Sequence, residues 1–446
     1  MLISCKQAEF SHFVSQKRPF VCYYWQAPCL GLEYGQAQAL IECWKYERTE
    51  AVIRLHQPAL REKSFIANPP ISFRLVQHIL EWQPVYVAEL VNRLHDFNTT
   101  VYSYRGRPPF RQTERNLRKI VKCRIEYYSA PEIPILKERI MVTLSGIKTV
   151  RKLGDFDVVY CIDSSIITNL LLSCASRRYG FKYILGIHDA NILREEPIRA
   201  SILRLILLKL YVPIRNWGLM RAPNIQTIND ADGKRLKELG YKGRLYSITD
   251  FVNVRDSHPY VNSKRFVVLF VGRLSIAHKG IDLLGEILDK TLASGYDIHF
   301  DIIGSGDDGE GLVKDMVSRH SKNVRWLGFV TEKELSGAYD RSDMLVFTSR
   351  FESFGLSLAE AQAHGLPAVA FNVRGPDVII RDKRQGSLVE PFDTDRFSAE
   401  VIKYFKLWKS DTKAYGKLKK MISEIVIGRF SEEAILPKVK RMLKER

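Results

Sequence analysis

Between Arg265 and Phe371 the chain repeats one small pattern: a short apolar run, a glycine or polar turn, then a stretch with helical spacing. The runs are Phe266–Val271, closed by Gly272; Ile298–Ile303, closed by Gly304; Val324–Leu327; Met344–Thr348; and Ala368–Phe371. Helical spacing fills Gly280–Leu292, Glu332–Tyr339 and Leu356–His364. Runs this short, without polar alternation, suit strands covered on both faces, and their alternation with helices specifies a doubly wound parallel α/β sheet. The first half repeats the pattern less cleanly, with strands expected near Phe20–Tyr24, Val101–Tyr104, Arg124–Tyr128, Asp157–Cys161, Lys182–Ile187 and Asn224–Thr227. A chain of 446 residues exceeds one ordinary core, so two α/β lobes are expected. The boundaries read as 1–250, a polar hinge over 251–264 that contains Pro259, a second lobe over 265–405 and a basic helical tail over 406–446. Open parallel sheets bind ligands beyond the carboxyl ends of their strands, so two facing lobes would share one ligand crevice.

Composition narrows the partners. The net charge is +18 and the Lys and Arg surplus is segregated: residues 1–250 hold 37 against 23 acids, 251–400 hold 18 against 22, and 401–446 hold 13 against 5. Such a surplus points to nucleic acid, an anionic membrane face or a phosphorylated ligand. Nucleic acid is disfavoured, because the densest basic stretch, Arg105–Arg124, has Phe110 as its lone aromatic and no nucleic-acid-binding motif is present. All seven cysteines lie in the first half without Cys-x-x-Cys or zinc-ligand spacing, which reads as a reducing cytosol and no metal site. No leader pattern and no apolar run of spanning length appear, so the expectation is a cytoplasmic protein, at most peripheral on the membrane.

The chemistry concentrates after the run Met344–Thr348. In TSRFESFGLSLAEAQAHGLP, Glu352 stands in a strand-to-helix loop, Phe354 and Gly355 at the helix start and Glu360 within the helix. A helix start with a glycine is a ready anion site, suited to a phosphate or diphosphate. A carboxylate beside it is suited to hydroxyls or to a developing cationic carbon. Glu360, two turns on, can accept hydrogen bonds from a ribose diol. Arg273 and Lys279, around the turn VGRLSIAHKG, are two cations able to grip a diphosphate and neutralise it as it leaves. The loop GSGDDG, opened by Gly304, lets backbone approach a nucleotide, and WLGFV brings Val330 to another strand end. Taken singly, two acids eight apart read as a solvated helix face and isolated cations as surface. The pairs Asp155/Asp157, Asp230/Asp232 and Asp393/Asp395 imitate a metal-binding Asp-x-Asp, but turns and helix caps also call for aspartate at such places.

Over roughly residues 266–405, and more loosely before them, the chain resembles the retaining glycosyltransferases of family four, with their two-lobed GT-B fold. The family's two glutamates read ESFGLSLAE here. The resemblance implies that Glu352 lies by the donor sugar as a catalytic group and that Glu360 holds the ribose. It further implies that Arg273 and Lys279 bind the diphosphate, that the amides of Phe354, Gly355 and Leu356 contact donor phosphate or sugar, and that Val330 borders the base. Gly375, Pro376 and Gly386 also fall where the family has them. In the first lobe, FKYILGIHDA places His188 where related enzymes keep a histidine near the reaction centre, and PCLGLEYGQAQALIE makes Gly31 a candidate for the loop over the donor phosphates. The adjacent glycines usual in that loop are missing here, and the expected Asn-Gly of the hinge reads Asp250-Phe251.

The implied reaction is sugar transfer, with retention and without metal or cofactor, from a UDP- or GDP-linked donor to an acceptor hydroxyl. The basic first half turns the expected acceptor toward a lipid-linked or phosphorylated glycan at an anionic membrane surface. A buried helix with solvated cations explains the same residues. A catalytically silent sugar-nucleotide-binding subunit and a sugar-nucleotide epimerase of the same fold stand as alternatives.

Overall fold

A computed structural model of the chain describes residues 51–55, 71–77, 84–104, 122–128, 132–133, 138–139, 155–162, 166–188, 213, 216–252, 264–306 and 308–445. Contacts divide the chain into two units, Met1–Ser247 with Leu443–Arg446, and Ile248–Met442.

The first unit contains β1 (Ala51–Leu55), β2 (Ile71–Gln77), α1 (Pro84–Arg93), β3 (Phe97–Tyr104), β4 (Arg124–Tyr128), the small hairpin strands β5 (Glu132–Ile133) and β6 (Glu138–Arg139), β7 (Val158–Ile162), α2 (Ile166–Tyr179), β8 (Lys182–Ile187), β9 (Asn224–Thr227), α3 (Asp230–Glu238) and β10 (Arg244–Ser247). Its main sheet has the order β10-β9-β8-β7-β1-β2-β3-β4. Neighbours from β7 to β10 and from β2 to β4 run parallel, and β1 runs antiparallel to its partners. β1 is thus an addition to the expected parallel set. The expected strand at Phe20–Tyr24 and the candidate Gly31 lie outside the described residues. β7 is buried along its whole length and β8 nearly so, the signature of strands sandwiched between helices.

The second unit contains β11 (Phe266–Val271), α4 (Ile276–Lys279), α5 (Ile281–Ala293), β12 (Ile298–Ile303), α6 (Glu310–Arg319), β13 (Val324–Gly328), α7 (Glu332–Arg341), β14 (Met344–Phe347), α8 (Leu356–Ala363), β15 (Ala368–Phe371), α9 (Pro376–Ile379), β16 (Gly386–Val389), α10 (Thr394–Ser410), α11 (Thr412–Phe430) and most of α12 (Glu432–Lys444). Its sheet is parallel throughout, in the order β13-β12-β11-β14-β15-β16. The chain steps outward from β11 to β12 and β13, then returns to β11's other side for β14. The switch point between β11 and β14 is where an open α/β sheet leaves a crevice at its carboxyl edge.

The second core is built from β11, β12, β14 and β15 against α5 and α10, with Phe266, Leu284, Phe300, Val346, Phe371 and Phe397 buried. Phe266 meets the ring of Phe405 edge-on at 5.5 Å. α11 is locked on by polar contacts as well. Lys419 Nζ donates to the Ser342 carbonyl at 2.7 Å and the Tyr415 hydroxyl to the Asp343 carbonyl at 3.0 Å. Burial pushes the Lys419 ammonium down to about 8.

Candidate functional site

The predicted residues of the second unit fall in the segments that follow the carboxyl ends of its strands, with Lys279 in α4 and Leu356 and Glu360 in α8. Arg273 follows β11, Gly304 follows β12, Val330 follows β13, and Glu352 with Phe354, Gly355 and Leu356 follows β14. The two loops that flank the switch point meet at an ion pair. Lys279, the last residue of α4, donates from Nζ to Glu352 Oε2 at 2.5 Å, with both side chains about a tenth exposed. Lys279 is aimed by its backbone. Gly280 takes the left-handed conformation at φ 65° and turns the chain from α4 into α5, while Thr348 Oγ1 donates to the Lys279 carbonyl at 2.8 Å. A Cβ on Gly280 would stand 2.4 Å from the Thr348 carbonyl oxygen, so only glycine allows this approach.

Burial alone would raise the Glu352 carboxyl, but the Lys279 ammonium outweighs it and holds the group below the ordinary glutamate value. His278, beside Lys279, is buried and stacks on Phe351 with ring centroids 4.4 Å apart. Burial, with the Lys279 charge in support, pushes its imidazole down to about 3, so it is neutral at physiological pH. A neutral ring can accept, and Arg273 Nη2 faces His278 Nδ1 at 3.5 Å. Arg350 holds the same two loops together, bidentate on Asp282 at 2.7 and 2.6 Å and donating to the Ile276 carbonyl at 2.5 Å.

α8 begins at Gly355, left-handed at φ 100°. Phe354 is core by its side chain, packed edge-on against Phe430, so what it can offer a ligand is backbone; Leu356 is exposed. Glu360 is half-buried and accepts from the Tyr339 hydroxyl at 3.0 Å. Burial first, and then the Glu360 charge, push that phenol well above its ordinary value, so Tyr339 stays a donor. Gly375, after β15, lies against Glu352: a Cβ there would stand 3.0 Å from both Glu352 Cβ and the Phe354 carbonyl oxygen. Gly304 also has a use within the fold. At φ 144° its α-carbon packs on the Gly272 carbonyl, where a Cβ would stand 1.8 Å away, so its glycine joins two loops. Trp326 Nε1 donates to its carbonyl at 2.9 Å. Val330 is half-buried beside the exposed Phe329.

His188 belongs to the first unit, one residue past β8 and nearly buried. Its Nε2 lies 3.0 Å from both the Tyr160 hydroxyl and Gln226 Oε1.

Sequence reasoning missed His278, Arg350, Tyr339, Tyr160 and Gln226. Their contacts are made in space, Tyr339 to Glu360, Tyr160 and Gln226 to His188, His278 to Arg273 and Arg350 to Asp282, and spacing along the chain carries no trace of such partnerships. Two of the aspartate pairs have a local use: Asp232 binds the Asn229 amide at the start of α3, and Asp393 caps α10. Among the described residues no cluster of three or more His, Cys, Asp or Glu could hold a metal ion, and no helix is long and apolar enough to cross a membrane. Most of the basic stretch Arg105–Arg124 lies outside the described residues.

Residues 256–421 match the family model "Glycosyl transferases group 1". An uncharacterized 41.2 kDa protein of the cps region of Klebsiella pneumoniae is 36% identical over 137 residues, 30% of this chain and 36% of that protein. Poly(ribitol-phosphate) alpha-N-acetylglucosaminyltransferase of Staphylococcus aureus is 26% identical over 196 residues, 44% of this chain and 38% of that enzyme. The chain thus matches little more than a third of the length of these curated relatives. Among solved structures, Anabaena HepE in complex with UDP and glucose superposes with a TM-score of 0.60 at 18% identity, over 82% of this chain and 96% of that one. That likeness establishes the two-domain fold.

Proposed function

The chain carries a glycosyl transferases group 1 domain over residues 256–421 on a GT-B fold, and from that premise we propose a retaining glycosyltransferase that moves a hexosyl group from a nucleotide-diphosphate donor to an acceptor hydroxyl. The observation that carries the reading is the buried Lys279–Glu352 pair at the switch point of the second sheet, beside the start of α8.

In this reading Lys279, Arg273 and the amides around Gly355 grip the donor diphosphate. The bond from the anomeric carbon to the phosphate oxygen breaks with its electron pair going to the diphosphate, and these groups stabilise the charge as it develops. Glu352, kept ionised, faces the sugar and favours the oxocarbenium-like state. The acceptor oxygen forms its bond to the anomeric carbon on the face that the diphosphate leaves, and its proton passes to a departing phosphate oxygen. Glu360, aimed by Tyr339, takes the ribose hydroxyls; Gly304 and Val330 border the nucleotide. His188 serves the sugar from the first unit, which would hold the acceptor. The charge that a divalent ion would supply is assigned to the two cations, so transfer is expected to persist in a chelator.

A panel of UDP- and GDP-linked hexoses tests this. The cognate donor is expected to raise the melting temperature, and Glu352→Gln to lower release of nucleoside diphosphate about 10²- to 10³-fold while keeping that thermal shift. Release unchanged in Glu352→Gln would sink the assignment.

The acceptor is proposed to be a lipid-linked or phosphorylated glycan at an anionic membrane face, a reading supported by the cation surplus of residues 1–250. Flotation with anionic vesicles, but not neutral ones, is the expected outcome. Failure to float with either would remove the membrane from the reading.

A further inference from the structure

At the carboxyl end of the first unit's sheet three polar side chains from three adjacent strands close into a triangle. Tyr160 comes from β7, His188 from just past β8 and Gln226 from β9, and the register sets Ile162 beside Gly186 and Gly186 beside Gln226. Residues two apart on a strand share a face, so Tyr160, Gly186, Gln226 and His188 all lie on one side of the sheet. The tyrosine ring reaches the other two by crossing Gly186. A Cβ there would stand 2.7 Å from the ring's Cε2, so the glycine is what opens the path. All three polar side chains are buried.

With a neutral His188 ring the distances leave one arrangement of hydrogens. The Tyr160 hydroxyl lies 2.6 Å from Gln226 Oε1, and His188 Nε2 lies 3.0 Å from that oxygen and 3.0 Å from the hydroxyl. The amide's orientation is fixed because Gln226 Nε2 donates to the Thr227 carbonyl at 3.2 Å; turned over, it would set two oxygens against each other. Oε1 is therefore the corner that accepts. Were His188 Nε2 unprotonated, two acceptors would face each other at 3.0 Å. If the Tyr160 proton then went to Nε2, two oxygens would meet at 2.6 Å with no hydrogen between them. Both clashes vanish when Nε2 carries the proton and donates into the Oε1–hydroxyl corner while Tyr160 donates to Oε1.

We infer that Gln226 is a positioning residue that holds His188 as the Nε2–H tautomer, with Tyr160 donating to the same oxygen, and thereby makes Nδ1 its basic nitrogen. A hydrogen bond that the neutral ring accepts, or a proton that it takes, then goes to Nδ1. The value of this to a sugar hydroxyl rests on the role proposed above for His188; the tautomer does not.

The full chain labelled with ¹⁵N-histidine decides the matter by long-range ¹H–¹⁵N correlation at a pH about two units above the ordinary histidine value. The His188 signals are identified by their loss in His188→Gln. The expected wild-type spectrum shows a protonated-type Nε2 and an unprotonated-type Nδ1. Tyr160→Phe should keep that pattern, since Oε1 still accepts. In Gln226→Met the tyrosine hydroxyl is free either to donate to Nε2 or to accept from it, so the single tautomer should give way to a mixture, and Gln226→Glu should restore it. A wild-type Nδ1–H tautomer overturns the inference, and so does an unchanged Nε2–H ring in Gln226→Met. Absence of nucleotide release with every donor would instead remove the glycosyltransferase reading and leave the tautomer result standing.

Discussion

Replacing Lys279 by methionine is expected to lower turnover roughly 10³-fold, as loss of a preorganised group facing transition-state charge does, and to destabilise the second unit by about 3–5 kcal/mol. The second effect follows from Glu352, which would keep its burial and lose its counter-charge. The pH dependence carries the diagnostic sign. In the wild type the folded Glu352 carboxyl lies below its unfolded value, so its contribution is present above the unfolded value and is lost as pH falls through the folded one. Without Lys279, burial governs and the folded value rises above the unfolded one. The charged carboxylate then opposes folding near neutrality, and acid relieves it. The gap in melting temperature between Lys279→Met and wild type should therefore narrow as pH is lowered toward the ordinary glutamate range. Glu352→Gln added to Lys279→Met should recover much of the stability at neutral pH and none of the turnover. A gap that stays constant with pH would mean that the two groups do not titrate as a buried pair.

Gly304→Ala is expected to cost about 4 kcal/mol or more, the range reserved for substitutions that the backbone cannot absorb. Two causes add: φ 144° is disfavoured for any side chain, and the new methyl would stand 1.8 Å from the Gly272 carbonyl oxygen. Gly295→Ala separates them. Gly295 has φ 75° but nothing within 4 Å of the added atom, so it should cost about 1–2 kcal/mol, the backbone cost alone. Urea unfolding of the two variants, followed by fluorescence, measures the difference. Equal losses would show that the two loops can part without penalty.

The second unit was legible in the sequence because both of its signals are local. Val271 and Ile303 end strands at the expected residue, and Phe371 does so as well. Helix starts shifted by a residue where left-handed glycines intervene, as at Gly280, which splits the expected Gly280–Leu292 stretch from α4. Arg273, Lys279, Glu352 and Gly355 lie near one another because motif spacing places them after strand ends, and the switch point gathers those ends together. The supports were not legible. His278 reads as one more polar residue before Lys279, and its worth comes from Phe351 and Arg273 reaching it in space. Tyr160 reads as a strand residue inside an apolar run, and nothing in VVYCI indicates that Gly186 leaves its ring a passage to Gln226. The antiparallel β1 was not legible because its pairing is set by residues distant in sequence, Ile53 against Leu75 and Val101.

Every candidate group of the second unit except Lys279, Leu356 and Glu360 hangs from a turn at one rim of a six-stranded sheet, while the strands beneath are largely apolar and buried. The two therefore answer to separate pressures. Descendants of such a chain can rewrite a turn of a few residues and acquire a different substrate without repacking the interior, whereas a change in a strand disturbs stability before it reaches chemistry.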